Sequence, residues 1–232
     1  MKQGLRPIQF VVWSGLVVII CVIVGAYVVE QRNKPSQAGA TQNLPTYGNV
    51  TPFSVTNHLG KVVTKESLKG KVWMGNIIFS RCPGPCAQMT AQMAELQKAV
   101  PKDWPVQFVS LTTDPEFDEP KILAKYAEKF KADSARWWFV TGTKRDMVDL
   151  AVKGLLLTTV DKPEGQRDIP EDLFIHSTIS VLVDREGRIR KTFQVLPSDA
   201  DENEQKAAQY KQEIIQEMKL AIEQLINEKP SK

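Results

Sequence analysis

Trp73-Met74-Gly75-Asn76-Ile77-Ile78-Phe79 is an apolar run of strand length, and it leads into Cys82-Pro83-Gly84-Pro85-Cys86. Beyond the second thiol, Met89, Met93, Leu96 and Val100 recur at helical spacing. Pro85 suits the first turn of a helix, where a missing N–H costs nothing. The pattern therefore predicts a strand-to-helix junction, with Cys82 just before the helix and Cys86 in its first turn. Backbone N–H groups at such a position favour the thiolate, which is both the nucleophile and the soft-metal ligand. Three readings are open: a redox pair, a metal site and a structural disulfide.

The chain has 232 residues, of which 42% are hydrophobic, enough for one sizeable core. The net charge is +3, and two of the 30 basic residues, Lys2 and Arg6, precede the first acid, Glu30. The rest is nearly balanced and shows no basic cluster, so nucleic acid is not expected as a partner.

Ile8 to Val29 carries no charge. Its about 22 residues span roughly 33 Å as a helix, enough for a ~30 Å hydrocarbon core. An uncleaved single-pass transmembrane anchor is expected, with Trp13 and Tyr27 as interfacial aromatics. Lys2 and Arg6 favour the N-terminus inside, although Arg32 and Lys34 weaken the bias. The soluble part then lies outside, on the periplasmic face of a bacterial-type inner membrane. With Cys21 as membrane filler, one close cysteine pair is left in that oxidising compartment.

Residues 30–47 are rich in Gln, Asn, Pro, Gly, Ala and Ser and read as a flexible linker. The expected division is a tail 1–7, an anchor 8–29, the linker 30–47, a globular domain 48–228 and a tail 229–232. Within the domain, 53–56 and 61–63 predict a hairpin, and Thr64 with Ser67 a capped helical turn. Strands at 73–79, 106–111 and 137–140 alternate with helices after the cysteines, at 120–130 and at 144–153. A hairpin at 178–183 and 189–193 and a helix over 201–227 close the chain. The order β-α-β-α-β-α-β-β-α predicts an α/β fold with parallel crossovers and an antiparallel addition. Two cysteines after the first crossover strand make it thioredoxin-like, with a central mixed sheet.

The soluble part has two histidines. His58, in Asn57-His58-Leu59-Gly60, reads as a solvated turn residue. His176 stands just before the terminal hairpin, in the loop entering a strand that should neighbour the cysteine strand; it reads equally as a ligand or as an ordinary loop-end histidine. Two thiolates and an imidazole would suit copper(I), with copper(II) also accessible, whereas zinc normally takes four ligands. Asp114 and Asp118 follow the second core strand, where acids most often cap a helix or bond loop amides. Met89 and Met93 fit core packing better than ligation. Trp137 and Trp138 should point to opposite faces of their strand.

The chain resembles the SCO/SenC family, membrane-anchored thioredoxin-fold proteins that help assemble the dinuclear copper centre of cytochrome c oxidase. The carriers are 68–73 (Leu-Lys-Gly-Lys-Val-Trp), 78–86 with both cysteines, Ser110-Leu111-Thr112-Thr113-Asp114-Pro115 with Asp118, Trp138-Phe139-Val140-Thr141-Gly142, and Phe174-Ile175-His176-Ser177-Thr178. The resemblance implies Cys82, Cys86 and His176 as copper ligands and Asp114 and Asp118 as a supporting acidic loop. It implies a copper metallochaperone whose partners are a copper donor protein and cytochrome c oxidase subunit II or another copper-requiring client. Two features are individual to this chain: Ala87, where many members have proline, and the loop 157–172. The alternative is an exterior thiol–disulfide oxidoreductase in which Cys82 attacks and Cys86 resolves. The third reading, a binding domain with a structural disulfide, is the weakest, because so short a loop gains little from cross-linking.

Overall fold

The computed structural model describes residues 43–157, 159–161, 174–176, 178–197 and 204–229, together with the helical positions Trp13 and Ile20; for 159–161 and 174–176 the description is of the backbone. Apart from Trp13 and Ile20, the expected tail 1–7 and anchor 8–29 lie outside the described residues, as does most of the linker. Among the described residues, no helix is long and apolar enough to cross a membrane. The chain divides after Gln42 into two units, and the second, Asn43–Lys232, carries the sheet.

The elements are β1 (Gly48–Asn49), β2 (Ser54–Asn57), β3 (Val62–Thr64), α1 (Lys65–Leu68), β4 (Val72–Ile78), α2 (Pro85–Ala99), β5 (Val106–Thr112) and α3 (Pro120–Lys129). They continue with β6 (Trp137–Thr141), α4 (Lys144–Asp149), a π-helical turn (Leu150–Gly154), β7 (Thr159–Asp161), β8 (Phe174–His176), β9 (Ile179–Val183), β10 (Arg188–Gln194) and α5 (Glu204–Asn227). Eight strands form one mixed sheet in the order β1-β10-β9-β4-β5-β6-β2-β3. β4, β5 and β6 are parallel. Antiparallel strands flank them on both sides, β9–β10 against β4 and β2–β3 against β6, not on the terminal-hairpin side alone.

Every residue of β4 and β5 is buried, as expected of central strands with both sheet faces covered. On one face α2, α3 and α5 bring Met93, Leu96, Leu123, Met218 and Ile222 against Met74, Phe108 and Trp137. On the other, α1, α4 and the π turn bring Leu68, Met147, Leu150 and Leu155 against Trp73, Ile77 and Val109. Trp137 and Trp138 do point to opposite faces, Trp137 into the first cluster and Trp138 against the second. The Thr64–Ser67 capping box forms. Met89 and Met93 are fully buried core residues.

Four further features differ from the sequence expectation. β7 and β8 pair within the segment read as a loop, in a separate two-stranded sheet. The helix expected over 144–153 relaxes into the π turn after Asp149. The chain is already docked at Leu44, ahead of the expected start at Gly48. There, the buried Arg190 donates to the carbonyls of Leu44 and Pro45 while pairing with Asp184 at 2.9 Å and Glu228 at 3.0 Å. His58 is not a solvated turn residue but is 5% exposed. The Phe139 N–H donates to its Nδ1 at 3.2 Å, so its Nε2 carries the proton that bonds Ser134 Oγ at 3.1 Å. Its own N–H donates to the Phe139 carbonyl, so the ring extends the β2–β6 pairing by one more bond.

Candidate metal and redox site

The site grows from the end of β4. After Ile78 the chain leaves the sheet through Phe79-Ser80-Arg81 and turns into α2, whose first two residues are Pro85 and Cys86. Cys82 is partly exposed ahead of the helix, while Cys86 is 1% exposed inside its first turn. The two sulfurs are not joined in a disulfide. The hydrogen bond between them pushes the Cys86 thiol far up, burial adds to this, and the backbone N–H of Phe79 opposes it only in part. For Cys86 the expectation that helix N-terminal amides favour the thiolate is therefore reversed. Beside a buried partner sulfur and away from water, a second negative charge is disfavoured more than the amides favour it.

The acidic loop after β5 grips the two residues that precede Cys82. Asp118 is fully buried and accepts from the Ser80 N–H at 3.0 Å and from the hydroxyls of Ser80 and Thr112. Burial raises its pKa, and those donors counter it. Asp114 accepts from Arg81 Nε at 2.7 Å, and the Arg81 guanidinium lies 4.6 Å over the half-exposed Phe117 ring. The structure thus places both aspartates at the cysteine turn. Asp118 bonds a loop amide, as acids in such a position often do, but neither aspartate caps α3, whose cap position is Glu119.

Tyr126 is legible in the sequence only as a member of the apolar face of α3. Its hydroxyl lies 3.0 Å from Thr90 Oγ1, and Thr90 in turn donates to the Cys86 carbonyl at 2.8 Å. With the Thr90 proton committed, Tyr126 is the donor of that pair. Burial first, then the nearby cysteines and Asp118, push the Tyr126 pKa up, so the hydroxyl stays protonated and keeps the chain of bonds to the Cys86 turn. No motif could have flagged Tyr126, because it sits at an ordinary core spacing.

His176 ends β8 instead of lying in a loop, with its backbone in register with Thr159. β9 follows closely and runs antiparallel to β4, with Ser180 opposite Asn76. The chain carrying His176 therefore arrives at the end of β4 from which the cysteine turn departs. Among the described residues no three His, Cys, Asp or Glu side chains gather as a metal site; the His176 side chain is not among those described.

Residues 41–213 match the SCO1/SenC family model. The SCO1 protein homolog of Bacillus subtilis is 36% identical over 150 residues, covering 64% of this chain and 75% of that protein. BsSco, a member of the Sco family of cytochrome c oxidase assembly proteins with a disulfide switch, superposes with a TM-score of 0.59 at 32% identity, covering 78% of this chain and 98% of its own. The copper-bound ScoI of Bradyrhizobium japonicum, at 23% identity, shares the fold with a TM-score of 0.55 over 72% of this chain and 99% of its own. With a family match across most of the chain, and the same mixed sheet delivering two cysteines into a helix, the chain belongs to the SCO1/SenC family.

Proposed function

We propose that this protein is a copper metallochaperone, held to a membrane by residues 8–29 with its globular part outside. Copper is its cargo, received on Cys82, Cys86 and His176 and passed to a copper-requiring client such as cytochrome c oxidase subunit II. The observation that carries the reading is the antiparallel register of β4 and β9, which brings the segment bearing His176 to the end of the sheet where the cysteines lie. A partly exposed Cys82 beside a buried Cys86 supports stepwise transfer, in which client ligands replace the accessible sulfur first. A soft sulfur pair suits copper(I), and an imidazole extends the set toward copper(II). The copper-bound and oxidase-assembly relatives agree with the reading.

The second reading, thiol–disulfide exchange, is favoured by the thiol–thiol hydrogen bond and by the disulfide switch of BsSco. One comparison separates the two. His176→Ala should lose most copper(II) loading and oxidase maturation, while thiol–disulfide exchange falls far less, since that rate depends on thiolate fraction and access. Cys86→Ser should lose all three. If His176→Ala loads copper and matures the oxidase like the wild type, the chaperone reading fails and the oxidoreductase stands.

A further inference from the structure

A second site lies at the opposite end of β4 from the cysteines. Trp73, near the start of that strand, is opposite Val183 at the end of β9, so the turn Asp184–Arg188 closes over this pole. Between that turn and α1 is a cavity of about 240 Å³ lined by Val50, Lys65, Leu68, Lys69, Trp73 and Arg185. Its volume is below the ~300 Å³ at which drug-sized pockets begin, which suits a small ligand.

Three cations and two acids border the cavity, and the acids are already compensated. Glu186 pairs with Arg188 at 3.2 Å. The Glu66 pKa is lowered chiefly by a backbone hydrogen bond, with Lys65 and Lys69 adding to it. Lys65 crosses Gly187 to reach the Val50 carbonyl at 2.6 Å, and a Cβ on Gly187 would stand 2.9 Å from its Cε. Arg185 is different. Its Nη2 donates to the Ile226 carbonyl, and among the described residues its buried Nε has no partner and no carboxylate pairs with it. A half-buried guanidinium that lines a cavity and is bonded only to a neutral carbonyl retains its positive charge to offer an anion.

We propose that this cavity is an anion site that takes a phosphate group, with Arg185 and Lys69 as its charged contacts and Trp73, Leu68 and Val50 as its apolar wall. The shared chemistry is a phosphate, either free or in a lipid headgroup. On the anchor reading, a membrane makes a headgroup one available source. The proposal does not rest on copper binding.

The test uses the full chain in neutral detergent micelles. It is titrated calorimetrically with inorganic phosphate, and separately with micelles doped with phosphatidylglycerol or with phosphatidylcholine. Saturable binding of inorganic phosphate, weakened about tenfold in Arg185→Gln as expected for loss of a hydrogen bond between charged groups, supports the site and assigns free phosphate. Binding only to phosphatidylglycerol, weakened alike, supports it and assigns the headgroup. Lys69→Gln, which leaves the Ile226 contact intact, should weaken binding several-fold and decides the matter if Arg185→Gln does not fold. No binding in any arm, or binding that both substitutions leave unchanged, overturns the site. Copper loading measured on the same samples should be unchanged in both variants, so failure here and failure of the chaperone reading are separate results.

Discussion

Asp118 carries more structural consequence than any other single residue at the site, because three donors converge on one buried carboxyl group. Asp118→Ala strands the Ser80 N–H and two hydroxyls, a cost of about 2–3 kcal/mol in denaturant unfolding. Copper stoichiometry should survive, since no copper bond is assigned to it. The sign of its pH dependence follows from its raised pKa. The folded state holds this proton more tightly than the unfolded chain, so its contribution is full below the ordinary carboxyl pKa of 3.8 and is lost as pH rises through the folded value. Asp118→Asn cannot ionise and should lack that loss. Parallel stability–pH curves for the two proteins between pH 3.5 and about 7, the neutral side of the carboxylate range, would rule out this role for the proton. Residues of this kind are half legible in the sequence. The cysteines declare themselves by spacing and by Pro85, whereas His58 does not, because its partners Ser134 and Phe139 lie 76 and 81 positions away. Its turn composition suggests water where the fold supplies a ring and two hydrogen-bonding partners.

Among the strands and helices, those with a sequence period are legible and those without one are not. Alternation of apolar strands with helical stripes reveals β4, β5, β6 and the helices between them. β1 has two residues, and β7 and β8 three each, too few for any alternation to show. The π turn likewise preserves the apolar spacing of a helix while changing its hydrogen bonding, and Leu150, Ala151 and Gly154 remain buried through it. The same turn accounts for a glycine in the middle of β4. A Cβ on Gly75 would lie 2.9 Å from Leu155 Cδ1 and 3.2 Å from the Trp73 ring, and Leu155 is itself fully buried. Gly75→Ala should therefore destabilise the domain by about 1–3 kcal/mol through overpacking. The check is a lower denaturant midpoint with an unchanged slope. An unchanged midpoint would mean that the π turn packs more loosely on β4 than its contacts indicate.

Across the protein as a whole, the sheet has a polarity. The chain enters the domain at Leu44 and β1, against the start of β10, while the cysteine turn leaves the opposite end of β4. The neutral run from Ile8 to Val29 with Lys2 and Arg6 before it predicts that a reporter fused after Asn227 is active only in the exterior compartment. Cytoplasmic activity would reverse the orientation and remove the oxidising setting for the cysteine pair. On the proposed reading, copper is held by three ligands drawn from two distant stretches of the chain, and X-ray absorption at the copper edge counts them. The copper(I)-loaded protein should show two sulfur scatterers and one imidazole, with the imidazole signal absent in His176→Ala. A wild-type spectrum with sulfur ligands alone, or an imidazole signal that persists in His176→Ala, would refute the three-ligand site.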